Sequence, residues 1–295
     1  MSPAEFAAAF DEFVDARLEW LSDNGAWFFD GLNDVLHAGY QAIYDGLTWL
    51  PFWAVILAFG VLGWRLAGSW RFALGAMLGL VLCVAMGLWP QTMSTLALVL
   101  SATSMALIIG IPLGVAAGLM PSLDRVSEPV LDLIQTLPPY IYLLPAIALL
   151  GYGPGTALVA TFIVAVPPVV RLTSLGIRMT PRVFIELGQA TGTTAWQQFF
   201  KIRLPFALPS IMAGVNQGLM MAFGMVVIAG IVGSGGLGEV IYGAIRTLDI
   251  AMSINAAIAI VILTLILDRL AQSATRLGRR AVHESLSLIH ISEPT

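Results

Sequence analysis

The 295-residue chain is short of the groups that carry most enzyme chemistry. Its one cysteine, Cys83, sits in an apolar run, so it reads as a packing residue; no intrachain disulfide or thiolate cluster can form. Histidine occurs at His37, His283 and His290 alone, and no His-Glu-x-x-His is present, which removes the zinc-peptidase signature. No Gly-rich stretch ends in Gly-Lys-Ser/Thr, so the chain carries no phosphate-binding loop of its own. Charged residues make up only 11%, and no basic stripe of the kind nucleic acid needs is seen. The amino terminus lacks a basic region followed by an apolar run, so no cleavable signal is expected.

What the chain has is apolar surface. Hydrophobic residues make up 58% and the mean hydropathy is +0.87, the composition of a polytopic membrane protein. The predicted fold is all-α: a bundle of about seven transmembrane helices. Candidate spans are 51–67, 70–89, 93–119, 129–150, 156–178, 205–232 and 251–270. Gly110, Pro112 and Gly114 predict a kink in the third. Pro138, Pro139 and Pro145 predict a break in the fourth, and Pro167-Pro168 a break in the fifth. Broken helices in lipid need neighbours, so these segments are expected to face the protein interior.

Residues 1–50 are different. Phe6, Phe10, Phe13, Leu18 and Leu21 give an apolar stripe over 4–21, and Trp27, Leu32, Leu36, Ile43 and Leu47 give another over 26–50. Two amphipathic helices are predicted, lying at the membrane interface or docked on the rest of the chain. This segment holds Glu5, Asp11, Glu12, Asp15, Glu19, Asp23, Asp30, Asp34 and Asp45 against the single base Arg17.

The bases cluster elsewhere: at Arg65 and Arg71, at Arg125, from Arg171 to Arg203, and from Arg269 to Arg280. These are alternate loops, and the positive-inside rule makes them cytoplasmic. The amino terminus is then expected outside and the carboxyl terminus inside, which an odd number of spans satisfies. The last stretch, 285–295, fits neither span nor loop. It reads as a non-native tail within the segment 274–295.

One polar island, Glu186 to Pro205, falls in the cytoplasm by this topology. Thr180-Pro181 reads as a helix start, Gly192 as a turn, and Thr194 as the cap of a second short helix with Trp196, Phe199 and Phe200. Two short helices with exposed aromatics suit a coupler laid in a partner's groove. Glu186, Gly192, Ile202, Leu204 and Pro205 match E-A-A-x3-G-x9-I-x-L-P, the signature loop of ABC importer permeases, which this island resembles. Leu187 and Gly188 stand where that pattern has alanines.

The resemblance extends from Thr92 to Ser273. Pro129-Val-Leu-Asp-Leu-Ile-Gln-Thr-Leu-Pro138, Tyr142-Leu-Leu-Pro-Ala-Ile147, Ala213-Gly-Val-Asn-Gln217, Met225-Val-Val-Ile-Ala229, Gly235-Gly-Leu-Gly238 and Leu267-Asp-Arg-Leu270 resemble the permease subunit of the glycine betaine, proline and choline family of ABC importers. The first ninety residues resemble it in style only. The resemblance implies a type I importer permease core over 91–273, with a coupling loop at about 179–204 and two accessory spans over 51–90. It also implies a homodimer in a bacterial inner membrane, cytoplasmic ATP-binding subunits that carry ATP and magnesium, and a separate extracytoplasmic substrate-binding protein. The chain itself is then no enzyme and binds no cofactor or metal. The solute would be a quaternary amine such as glycine betaine or choline.

Polar residues in the spans are the remaining candidates. Gln135, Thr136, Asn216 and Gln217 either line the passage or form interhelical hydrogen bonds. Tyr140, Tyr142 and Trp89 offer π faces to a quaternary ammonium, or form an interfacial belt. Gly235, Gly236, Gly238 and Glu239 lie outside by this topology and are candidates for contact with the binding protein. Two alternatives stay open: an ABC permease for another solute such as an amino acid, and an ion-coupled secondary transporter. Against the latter, Asp132 and Asp268 lie near span ends, and no acid sits mid-span.

Overall fold

A computed structural model describes residues 3–287, and among them every regular element is helical. Residues 288–295 of the suspected non-native tail lie outside the described residues. In chain order the helices are α1 (Pro3–Trp49), α2 (Phe52–Ala67), α3 (Trp70–Ala85), α4 (Trp89–Leu119), α5 (Pro121–Thr136) and α6 (Tyr140–Leu150). Then come α7 (Pro154–Arg178), α8 (Arg182–Ala190), α9 (Ala195–Gln198), α10 (Leu204–Ala229), α11 (Gly236–Thr247) and α12 (Ile250–Ser287).

Four helical stretches are long and apolar enough to cross a bilayer: α4, α7, α9 continued through α10 to Val232, and α12. The expected break in the fourth span is present, since α5 and α6 meet at 98°. Pro138 follows Leu137, whose backbone is extended, as the residue before a proline prefers. The first two expected spans are the 16-residue helices α2 and α3, shorter than the ~20 residues of a perpendicular crossing. α1 and α2 also meet at 98°, at Pro51.

Two sequence expectations are corrected. The two amino-terminal helices are one 47-residue helix, α1. At the expected gap, Asn24 does not cap a new helix; its Nδ2 donates back to the Trp20 carbonyl (2.9 Å), which keeps the turn helical. Pro167 and Pro168 do not break the fifth span but lie inside continuous α7, and Pro112 lies inside continuous α4.

Packing explains how α7 keeps its prolines. It runs between α4 and α10, and both approach it through glycine. On α4, a Cβ on Gly110 would come within 2.9 Å of Val169, on Gly114 within 2.6 Å of Thr173, and on Gly118 within 2.7 Å of Ile177. On α10, Gly218 would meet Val169 at 2.8 Å. These small-residue stripes let backbones close up where no hydrophobic drive exists between helices in lipid. Gly110 and Gly114 therefore serve as a packing face of α4.

The periphery is fastened by polar contacts. Tyr40 of α1 is buried and shares a hydrogen bond with Ser94 of α4 (2.8 Å). α5 lies along α7 through two ion pairs, Asp124 with Arg178 and Asp132 with Arg171, and the Ser174 hydroxyl also donates to Asp124 (2.9 Å).

Candidate coupling site

The island between α7 and α10 folds as a knuckle. Its start differs from the sequence reading: Thr180 does not cap α8. Its hydroxyl donates to the Ile177 carbonyl (3.0 Å), because the residue is buried under the last turn of α7. Pro181, in extended conformation, occupies the N-cap position instead, and α8 begins at Arg182.

The end of α8 is closed by Gly192. Its φ of +75° is the left-handed region that glycine enters without a steric penalty. The Thr193 amide donates to the Gly188 carbonyl (2.9 Å) and the Gly192 amide to that of Gln189 (3.0 Å). This pair of bonds is a Schellman closure, which satisfies carbonyls that α8 leaves free. Two residues on, Thr194 caps α9. Its hydroxyl accepts from the Gln197 amide (3.3 Å), and the Gln197 side chain accepts from the Thr194 amide (3.0 Å).

The second arm then runs straight into the membrane. α9 passes through a single π-helical turn, Phe199–Arg203, into α10 without a break, with Pro205 in the first turn of α10. The sequence predicted a separate short helix. What joins it to the span is the wider π turn, which carries Ile202 and had no signal in the pattern.

The two arms are locked together. A Cβ on Gly188 would come within 2.8 Å of Ile202 Cδ1 and 2.9 Å of Thr193 Oγ1. Gln198 Nε2 donates to the Ile185 carbonyl (3.2 Å), and the rings of Phe184 and Phe206 lie 4.9 Å apart. Below the seam, Phe199 and Leu204 pack on Ile177, Ala207 and Ile211, which joins the knuckle to α7 and α10.

The outer surface is apolar and exposed. Val183 and Leu187 on α8 are 71% and 58% exposed, and Trp196 and Phe200 on the second arm 73% and 51%. Trp196 and Phe200 stack at 5.4 Å with their planes 8° apart. Behind Trp196 and Phe199, Val115 and Leu119 of α4 close a hollow of about 280 Å³. Glu186 is exposed on α8. The motif residues thus divide: Gly188 and Ile202 lock the two arms together, Leu204 packs on Ile177, Ala207 and Ile211, Pro205 lies in the first turn of α10, Gly192 shapes the turn, and Glu186 and Leu187 face out.

The other candidates are more scattered. Gln135 and Thr136 are exposed at the end of α5, and the Thr136 hydroxyl donates to its own helix at Leu133 (3.1 Å). Asn216 is half-buried on α10, with its Oδ1 buried and unpaired, while Gln217 is exposed. No hydrogen bond joins the α5 pair to the α10 pair among the described residues. Tyr140, Tyr142 and Trp89 do not form a cage: the Tyr142 hydroxyl donates across the break to the Ile134 carbonyl (2.6 Å), and Trp89 meets Phe52 edge-on.

Gly236 and Gly238, expected at the outer surface, are buried. A Cβ on Gly236 would meet Thr95 Oγ1 at 2.6 Å, and one on Gly238 would meet the Val226 carbonyl at 2.5 Å. They let the start of α11 close onto α4 and α10. Gly235 stays half-buried and Glu239 exposed, and the Glu239 carboxylate accepts from the Gly235 amide (2.8 Å). Sequence reasoning also missed Thr95, whose hydroxyl accepts from the Leu237 amide (2.8 Å) and donates to the Gln91 carbonyl (2.8 Å). It likewise missed the α5–α7 ion pairs, whose partners lie too far apart in sequence to leave a local signature.

The knuckle lies within the part of the chain, residues 110–280, that matches the family described as "Binding-protein-dependent transport system inner membrane component". The chain belongs to this family. It is 38% identical over 262 residues to the glycine betaine transport system permease protein OpuAB of Bacillus subtilis, covering 89% of this chain and 93% of that protein. It is also 38% identical to the glycine betaine/proline betaine permease ProW of Escherichia coli (91% and 76% covered) and to the glycine betaine/carnitine permease GbuB of Listeria monocytogenes (85% and 91% covered). Such coverage reaches well before Thr92, so α1–α3 share in a similarity that the sequence showed only in style. Among solved structures, an inward-facing MetNI methionine ABC transporter chain matches with a TM-score of 0.56 and 26% identity, covering 66% of this chain and 95% of that one. As a member of this family, the chain is a membrane-spanning transport permease subunit with a type I ABC permease fold.

Proposed function

We propose that this chain is the membrane subunit of an ATP-driven importer of glycine betaine or a closely related quaternary amine. Two copies would form the passage. Two ATP-binding subunits would dock on the cytoplasmic knuckles, and a separate binding protein would deliver solute from outside. ATP and magnesium belong to the docked subunits. The observation that carries this reading is the knuckle: an exposed apolar surface, closed by Gly192, in rigid continuity with α10 through the π turn.

The mechanism follows from that continuity. When the ATP-binding subunits close, they push on Val183, Leu187, Trp196 and Phe200. Ile202 seated on Gly188 makes α8 and the second arm move as one body. Because the second arm is already the start of α10, and α10 is packed by glycine against α7, the push tilts the central helices rather than bending a linker. Two packed states of the α4–α7–α10 group then give access to either side. Selection of the quaternary amine rests on the relatives' solutes, and the amino terminus is taken as outside and the carboxyl terminus as cytoplasmic from the distribution of arginines.

The test is uptake of labelled glycine betaine in bacterial cells stripped of their own importers. The chain is expressed with a cognate ATP-binding subunit and binding protein. Uptake that needs all three supports the proposal. Uptake by the chain alone, abolished by an ionophore, would favour an ion-coupled transporter. Transport of amino acids but not of quaternary amines would refute the solute class and keep the architecture.

A further inference from the structure

A groove of about 400 Å³ runs between α3 and α12. Its walls are apolar, with Phe72, Ala76, Ile262 and Leu265 among them. At its inner end the two helices touch, where a Cβ on Gly79 would come within 2.7 Å of Ile262 Cγ2. One turn nearer the mouth the space over Gly75 is open, with nothing within 4 Å of where its Cβ would stand.

The mouth carries two arginines, Arg71 and Arg269. The helices are antiparallel, and each arginine lies about two turns from the Gly79–Ile262 contact, about 10–12 Å along its own helix. The two guanidinium groups therefore sit near one level. Both side chains are exposed, and among the described residues neither has an acidic partner. The neighbouring acid, Asp268, accepts from Gln272 (2.7 Å), and Arg71 lies over the Trp70 ring at 5.8 Å.

Two unneutralised cations above an apolar trough define an amphipathic, anionic ligand. The distance from the arginines to the Gly79–Ile262 contact, about 10–12 Å along the helices, compares with about 15 Å for one leaflet of hydrocarbon. Guanidinium forks match phosphate oxygens, and arginine clusters beside a membrane surface attract anionic headgroups. A free phosphate would leave the trough unfilled, and a zwitterionic lipid would leave the two positive charges uncompensated.

We propose that the α3–α12 groove is a binding site for an anionic phospholipid, whose headgroup phosphate lies on Arg71 and Arg269 and one of whose acyl chains lies over Gly75. The inference does not depend on the solute carried; the orientation proposed above decides only the leaflet that supplies the lipid.

The test is native mass spectrometry of the full chain, released from vesicles of phosphatidylethanolamine and phosphatidylglycerol in equal amounts. Two arginines near the surface give an expected enrichment of retained phosphatidylglycerol of roughly thirty-fold over phosphatidylethanolamine. R71Q/R269Q should abolish the enrichment while leaving the groove intact. G75F should remove the bound lipid while leaving both charges. Circular dichroism and monodispersity check that each variant is folded. Wild-type chain with no enrichment would overturn the proposal, as would folded R71Q/R269Q with the enrichment unchanged. Enrichment that inorganic phosphate alone displaces, with G75F unaffected, would point to an anion site without the acyl chain and would also overturn it.

Discussion

Ile202 sits on Gly188, so close that an added Cβ would stand 2.8 Å from Ile202 Cδ1. This is the seam between the two arms of the knuckle, and it explains why a small residue recurs at that place in the importer signature. The opposing atoms are both side-chain atoms, the far end of Ile202 and the Thr193 hydroxyl (2.9 Å), with no backbone in the way. Gly188→Ala should therefore be tolerated, since the helix gains about 0.5–1 kcal/mol when glycine becomes alanine, which offsets small shifts of Ile202 and of the Thr193 side chain. Gly188→Leu should pry the arms apart. Solute uptake measured at equal membrane levels should stay near wild type for the first and fall at least tenfold for the second.

Gly192 makes a separate demand. At φ +75° a side chain costs about 1–2 kcal/mol, and asparagine is the best-tolerated substitute. Gly192→Glu should leave the chain inserted but break the transmission from ATP-binding subunit to span. ATPase activity of the assembled complex should then persist without uptake, and Gly192→Asn should restore much of it. Normal uptake by Gly192→Glu would remove the turn from the mechanism.

The two ion pairs that hold α5 to α7 should differ in weight. Asp132 and Arg171 have side chains 60% and 35% exposed, so solvent screens them, and Asp132→Asn should cost below about 1 kcal/mol. Asp124 is only 18% exposed and also accepts from Ser174, so Asp124→Asn should cost about 2 kcal/mol. Thermal unfolding in detergent should order the variants this way, and the smaller loss should shrink further with added salt.

Thr95 anchors the start of α11 by accepting from the buried Leu237 amide. Thr95→Val keeps the shape but strands that donor, at a cost of about 1–3 kcal/mol. Thr95→Ser retains the oxygen and should recover most of the loss. Amide exchange at the start of α11, followed by mass spectrometry, should speed up in Thr95→Val and stay slow in Thr95→Ser.

These contacts mark where the sequence could be read and where it could not. Composition and charge segregation gave the membrane bundle, and the spacing of Glu186, Gly192 and Ile202 gave the knuckle, because those signals are local. Gly192 and Thr194 do what their residue types suggest. Thr180 does not, because burial at the end of α7 outweighs its capping preference. Pro167 and Pro168 failed as break signals because helices on both sides hold α7 in line, a tertiary effect. Gly236 and Gly238 were misplaced at the surface, since glycine serves a turn and a close contact equally well. Whether Asn216 and Gln217 meet solute is a property of the assembled passage, to which one chain's pattern contributes only part.

The central claim is that the knuckle receives an ATP-binding subunit and passes its motion to α10. The most direct measurement is site-specific crosslinking. A photoreactive residue is placed at Trp196 in an otherwise intact complex, and the adduct is identified with and without ATP. The expected result is a crosslink to the ATP-binding subunit whose yield changes on nucleotide binding, together with a change in the exposure of α10. Crosslinks to lipid alone, unaltered by ATP in a complex that still transports, would contradict the claim.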